Sequence, residues 1–218
     1  MKICTKRSKL CDNDDCKICF DKSFTSHEKS KYWSEKNKKK PRQVFKFTNK
    51  KYWFNCNKCP HQFEISLDNV ARQNSWCSYC CNPPRKMCDN DCKDCFNKSF
   101  ASHEKSKYWS DKNKKKTREV FKSSSVKYIF NCDKCSHDFD ITLNNVKNGY
   151  WCKYCSNKKL CNDEECKDCF EKSFASHPKK EFWSEKNKEK PRKIFKGTHV
   201  KYWFNCNICF HTFETDLL

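Results

Sequence analysis

The sequence predicts small α+β modules repeated in tandem rather than one large domain. Three observations predict this: a thin apolar complement, an internal repeat, and the pairing of the cysteines. Of 218 residues, 34 % are charged and the apolar set reaches 36 % only by counting 21 Cys. Few aliphatic residues remain for a core, and modules of that kind need a metal or disulfides to fold.

The phrases CDNDDCKICFDKSFTSH, CDNDCKDCFNKSFASH and CNDEECKDCFEKSFASH begin at Cys11, Cys88 and Cys161, 77 and then 73 residues apart. Each is followed by YWSEKN, YWSDKN or FWSEKN, and then by KYWFNCNKCPHQF, KYIFNCDKCSHDF or KYWFNCNICFHTF. The first two copies close on SWCSYC and YWCKYC. The modules are therefore residues 9–85, 86–158 and 159–218. Copy three reaches Leu218 before its closing WCxYC, and Cys4 sits where the last cysteine of a preceding copy would fall. The chain thus reads as an excerpt from a longer array.

Within a unit, the cysteine-rich start reads as a polar loop. Ser23-Phe24-Thr25-Ser26 offers an N-cap, and Glu28 to Glu35 a short helix. Lys36 to Arg42 is a basic loop closed by Pro41. Val44-Phe45-Lys46 and Tyr52-Trp53-Phe54 read as a β-hairpin leading into the CxxC knuckle, with Phe63-Glu64-Ile65 as a return strand. Leu67 to Val70 allows one helical turn, and a last short helix is expected near Cys77. With 2 Gly in the chain, turns must rest on Asn, Asp, Ser and Pro.

The cysteines decide between metal and disulfide. Their count is odd, most fall in CxxC pairs, and the Met1–Arg7 stretch carries no apolar signal segment. This favours Zn²⁺ in a reducing, intracellular setting. Cys56, Cys59, Cys77 and Cys80 form C-x2-C…C-x2-C, repeated by Cys132, Cys135, Cys152 and Cys155, the spacing of a structural site with four cysteine ligands. A closing pair on a helix N-terminus would favour thiolate charge. In copy three, Cys206 and Cys209 lack the closing pair. His61, His137 and His211 follow each knuckle at C-x2-C-x-His. They are further candidates, and His211 is the substitute ligand in copy three unless that site is weak or empty.

A second site is expected at the triads Cys11, Cys16, Cys19; Cys88, Cys92, Cys95; and Cys161, Cys166, Cys169. His27, His103 and His177 follow at constant distance and would complete three thiolates with one imidazole. The alternatives are that these histidines cap or pack on the short helix, or that a cysteine of the preceding copy, such as Cys81, is the fourth ligand.

The formal charge is +20. Thiolates at two four-cysteine sites and three mixed sites would lower it to about +13. The excess is clustered: Lys36, Lys38, Lys39, Lys40 and Arg42 recur as Lys112, Lys114, Lys115, Lys116 and Arg118, and again as Lys186, Lys188, Lys190, Arg192 and Lys193. Three repeated basic loops, with Trp33, Trp109 and Trp183 nearby, predict non-specific contact with nucleic-acid phosphates. The competing reading is a solvated lysine-rich surface. No recognition helix with groove spacing is evident, and no apolar run reaches transmembrane length.

The phrases SFTSHEKSKYWSEKN, KYWFNCNKCPHQFEISL and SWCSYC together resemble the zinc-ribbon, or treble-clef, domain family, over nearly the whole chain. The resemblance implies a treble-clef fold, with Cys56, Cys59, Cys77 and Cys80 as ligands in copy one. It also implies tandem copies of the giant DNA virus type, placed in host cytoplasm, viral factory or virion. The triads look like a viral variant, while copy three departs from the pattern by its absent closing pair. The function expected is a non-catalytic zinc-binding repeat protein that holds nucleic acid, DNA rather than RNA. The alternatives are a protein-interaction or virion scaffold, or an accessory module beside a nuclease. Neither a RING ligand order nor a repeated nuclease carboxylate–lysine motif is matched.

Overall fold

A computed structural model describes residues 9–217; Cys4 and Leu218 lie outside the described residues. The chain divides between Lys98 and Ser99 into two compact units. In order, the regular elements are α1 (Lys17–Lys22), β1 (Lys51–Asn55), β2 (Gln62–Ser66), α2 (Leu67–Ala71), α3 (Lys93–Lys98), β3 (Lys127–Asn131), β4 (Asp138–Thr142), α4 (Leu143–Lys147), α5 (Lys167–Lys172), β5 (Tyr202–Asn205) and β6 (Thr212–Thr215). Short 3₁₀ turns fill much of the rest. Each copy is thus a small α+β arrangement of short helices around a two-stranded antiparallel hairpin.

The hairpin differs from the one expected. β1 pairs with the return strand β2, in the register Phe54 opposite Phe63 and Trp53 opposite Glu64. The CxxC knuckle is its turn, closed by the Cys56 amide donating to the His61 carbonyl at 2.9 Å. Val44-Phe45-Lys46 instead runs beside residues 22–24, with Phe24 N donating to Val44 O and Lys46 N to Lys22 O, both at 2.9 Å. Alternation explains the core. Phe54 and Phe63 are buried on one face, beneath Phe24, Val44, Leu67 and Val70, while Glu64 and Gln62 face outward. Leu67 and Val70, three apart, share a face of α2, whose N-cap Ser66 Oγ accepts from Asn69 N at 3.4 Å. Trp76 closes the core edge-on against Phe63 at 4.9 Å and Phe54 at 5.3 Å.

Two expected helices are replaced. Glu28 to Glu35 is a 3₁₀ turn over Glu28–Tyr32, capped by His27 rather than by Ser23 to Ser26. The closing pair near Cys77 sits on a turn, with a single helical hydrogen bond from Cys81 N to Cys77 O at 3.0 Å. Pro83 and Pro84 stop its growth in copy one. In copy two, Asn157 adopts the left-handed region at φ 54, which terminates a helix. Conversely, the supposed polar loop at the start of each copy contains a helix: α1, α3 or α5. Copy three has a smaller core of Phe174, Ile194, Phe204 and Leu217, and Ile208 and Phe210 on its knuckle are exposed.

Candidate metal centres

The hairpin turn and the closing segment bring the four cysteines of each complete copy together. Cys56, Cys59, Cys77 and Cys80 lie with their sulfurs within 4.8 Å of one another, as do Cys132, Cys135, Cys152 and Cys155. Cys56 and Cys80 Sγ are 3.5 Å apart, and Cys59 and Cys77 Sγ 3.6 Å. The second copy repeats this at 3.5 and 3.7 Å. A disulfide would need about 2.05 Å. Four thiolates at about 2.3 Å from a tetrahedral ion stand about 3.8 Å apart. The spacing therefore fits a metal ion, and Zn²⁺ is among the ions that suit this donor set. Trp76 Nε1 donates to Asn57 Oδ1 at 3.0 Å, and Trp151 Nε1 to Asp133 Oδ1 at 2.7 Å, so the closing Trp locks the second residue of each knuckle. Lys105 beside Asp133 also holds that carboxyl low, at about 2.

The triads gather for a local reason. Cys16 precedes α1 and Cys19 lies in its first turn, three residues on and so on the same side. Cys11 folds back so that its amide donates to Cys19 Sγ at 3.4 Å. Copies two and three repeat the contact at 3.4 and 3.3 Å.

The imidazole at the triad is not the one expected. His27, His103 and His177 turn away: each accepts through Nδ1 a backbone N–H two residues on, at 3.1 Å. Each stacks on the Phe three residues before it, at 5.2, 5.1 and 4.9 Å. They cap and pack, which was the alternative reading. The triad Cys88, Cys92, Cys95 is joined instead by His61, and Cys161, Cys166, Cys169 by His137. Both are knuckle histidines of the preceding copy. His61 Nε2 is 3.3 Å from Cys95 Sγ, and His137 Nε2 is 3.2 and 3.4 Å from Cys166 and Cys169 Sγ. Nitrogen at about 2.0 Å and sulfur at about 2.3 Å from one tetrahedral ion stand about 3.6 Å apart, so these clusters fit an ion too. The remaining triad gathers as Cys11, Cys16 and Cys19. Cys81 does not serve as fourth ligand; its thiol donates to the Pro83 carbonyl at 3.2 Å. In copy three, Cys209 and His211 are both exposed.

Two of the arginines expected to meet phosphate are committed to the triads. Arg192 is buried and donates to Asp163 O at 2.6 Å and to Cys161 Sγ at 3.6 Å. Arg42 donates to Asn13 O at 2.6 Å and stands 4.0 Å from Cys11 Sγ. Burial works to raise the Cys161 thiol, but hydrogen bonds from His137 and Arg192 outweigh it and draw it down to about 6. Cys11 falls to about 7 through its contact with Cys19 and its other hydrogen bonds. Burial lifts Cys59, Cys95, Cys155 and Cys169 to about 11 and also raises Cys77 and Cys135. The thiols that burial raises hold their protons without a cation, and an ion must displace those protons to bind.

The lysines of the basic loops behave differently from the arginines. Lys38, Lys39, Lys40, Lys114, Lys115, Lys116, Lys188, Lys190 and Lys193 are all exposed. Their loops are held in place. Trp33, Trp109 and Trp183 each donate Nε1–H to a loop carbonyl, of Lys39, Lys115 and Glu189, at 2.9 to 3.1 Å. Asn37 bridges the loop to β1, donating to Trp53 O at 2.7 Å and accepting from Trp53 N at 2.9 Å. Asn113 and Asn187 do the same. The Trp rings themselves pack into the core, as Trp33 does against Phe54 at 5.3 Å. They anchor the loops.

Among the described residues, no helix is long and apolar enough to cross a membrane. No family model matches the chain. It is 39 % identical over 221 residues to an uncharacterized protein of Acanthamoeba polyphaga mimivirus, the alignment covering 99 % of this chain and 53 % of that protein. The chain thus spans about half the length of the relative it matches. Repeated cysteine clusters suited to metal, in a chain similar to a giant-virus protein, define a set of metal-binding modules.

Proposed function

We propose that the chain is a zinc-stabilised, non-catalytic repeat protein of zinc-ribbon or treble-clef type. Its lysine loops hold nucleic acid by the phosphate backbone, DNA in preference to RNA, inside an infected host cell. The observation that carries the reading is the exposed lysine cluster, presented at the same place in every copy on a loop anchored by Trp and Asn. Anchored cations lose less freedom on binding than lysines on a free loop. The non-catalytic part rests on the ligand count at the four complete clusters, where four protein ligands fill a tetrahedral ion and leave no position for a reacting water. The test is binding to a random-sequence duplex as salt is raised. A straight, steep fall of log affinity with log salt supports the reading, and no affinity at low salt defeats it.

A protein-docking role is favoured by one observation, the exposed Ile208 and Phe210 on the knuckle of copy three. In that case a partner stays bound after nuclease treatment and is lost on Ile208→Asp.

A further inference from the structure

Each knuckle histidine touches two clusters at once. His61 Nδ1 is 3.2 Å from Cys59 Sγ of the four-cysteine cluster, while its Nε2 is 3.3 Å from Cys95 Sγ of the next triad. His137 repeats this, with Nδ1 3.1 Å from Cys135 Sγ and Nε2 3.2 Å from Cys166 Sγ. The ring is also clamped flat. His61 lies on Tyr79 at 4.2 Å and 8°, and His137 on Tyr154 at 4.3 Å and 22°. Both tyrosines sit between the two cysteines of a closing CxxC. The groups that hold the ring, Cys59 with Tyr79 and Cys135 with Tyr154, thus come from the segments that supply the four-cysteine cluster.

We propose that the paired sites are coupled, the four-cysteine site loading first and preparing the mixed site through this one imidazole. A metal-bound thiolate at Cys59 accepts a hydrogen bond from Nδ1–H. The ring's single N–H is then on Nδ1, and the Nε2 lone pair faces Cys88, Cys92 and Cys95, as ligation of a second ion requires. With the first site empty, no ion ties Cys59 to the segment that carries Tyr79, and the ring is no longer held facing the triad. His61 and His137 are thus ligands of one ion and hydrogen-bond donors to the thiolate shell of another. Because coupling is reciprocal, an ion at the triad also tightens the one at the knuckle. The coupling is independent of whether the lysine loops bind nucleic acid.

Cobalt titration of the full chain tests this, because all-sulfur and one-nitrogen sites give distinguishable visible spectra. The all-sulfur spectrum is expected first, with the one-nitrogen spectrum following as those sites fill. The double variant Cys80→Ser, Cys155→Ser impairs the four-cysteine sites and keeps every ligand of the second sites, so the one-nitrogen spectrum stays readable. Loss of outer-shell support of this kind typically costs 10- to 100-fold in metal affinity, and the one-nitrogen midpoint should move to higher cobalt by about that factor. Parallel or reversed filling in the unaltered chain overturns the proposal. So does a variant whose metal-saturated near-ultraviolet circular dichroism is native but whose one-nitrogen midpoint is unchanged. If the variant fails to fold, the order seen in the unaltered chain still decides.

Discussion

At the scale of the residue, the contrast between Arg192 and its lysine neighbours separates holding the fold from meeting a partner. Arg192 is 7 % exposed, and its bond to Cys161 Sγ is charge-assisted once that sulfur is a thiolate. Arg192→Ala should therefore weaken metal at Cys161, Cys166 and Cys169 by roughly 10- to 100-fold. It should leave the salt dependence of DNA binding unchanged; competition with a zinc dye reads the first and a salt series the second. Lys188→Ala with Lys190→Ala and Lys193→Ala should do the reverse. The chain keeps its metal, and the slope of log affinity against log salt falls by about 0.9 for each phosphate that is no longer neutralised. Basic residues in one run look alike in sequence. What distinguishes the arginine is a planar fork that can bond a carbonyl and a sulfur together, and only the fold reveals that both are within its reach.

At the scale of the element, the anchored loop and the hairpin show what the sequence made legible. The C-x2-C…C-x2-C spacing let the knuckle and its closing pair be read as one cluster, whereas the partner of β1 was misplaced because Val44-Phe45-Lys46 looks as much like a strand as Phe63-Glu64-Ile65 does. The helix at the triad was hidden, because Lys17–Lys22 is short, leaves Ile18 and Phe20 exposed, and buries only a cysteine, so no apolar face marks it. His61 was hidden differently. The C-x2-C-x-His spacing marks it as a histidine near a metal, but its target lies in the next copy, and spacing along the chain does not say which copy a ring faces. His27 misled because its distance from the triad is constant, a constancy the 3₁₀ turn it caps explains as well. The loop anchor makes its own prediction. Trp33→Phe keeps the ring against Phe54 and loses only the bond to Lys39 O, at about 1 kcal/mol, whereas Trp33→Ala also opens the core at about 3–5 kcal/mol. Urea midpoints of metal-loaded protein should separate the two variants by that margin. Equal midpoints would show that the indole N–H, not the ring, holds the element.

At the scale of the whole molecule, the metal clusters join what the sequence repeat divides. Within the unit that begins at Ser99, triad three meets the preceding copy through His137 and its own copy through Arg192 and Phe195. Lys172 of α5 also ties to Tyr154 O at 2.8 Å. In the other unit, His61 and Lys98 bring Cys88 to Cys95 onto the copy that precedes them. Within the Ser99–Leu218 unit, triad three is therefore a joint between consecutive copies, and its cohesion should depend on its ion. Two four-cysteine and two histidine-containing clusters predict at least four ions per chain, which native mass spectrometry counts directly. Stripping them with a chelator leaves thiols crowded together with thin cores behind them, so near-ultraviolet circular dichroism from the packed tryptophans should collapse. Lowering the pH acts in the same direction, since protons compete with the ion for sulfur and imidazole; stability is full at neutral pH and lost, ion and fold together, as the ligands protonate. Within the Ser99–Leu218 unit the joint should fail visibly. Lys158 and Lys159, whose amides are bonded back to Lys153 O at 3.0 and 3.2 Å, should become the earliest trypsin sites once the ions are removed. A metal-free chain that keeps its circular dichroism and resists trypsin there would mean that the aromatic cores alone hold the array, and that the ions are passengers on a fold that does not need them.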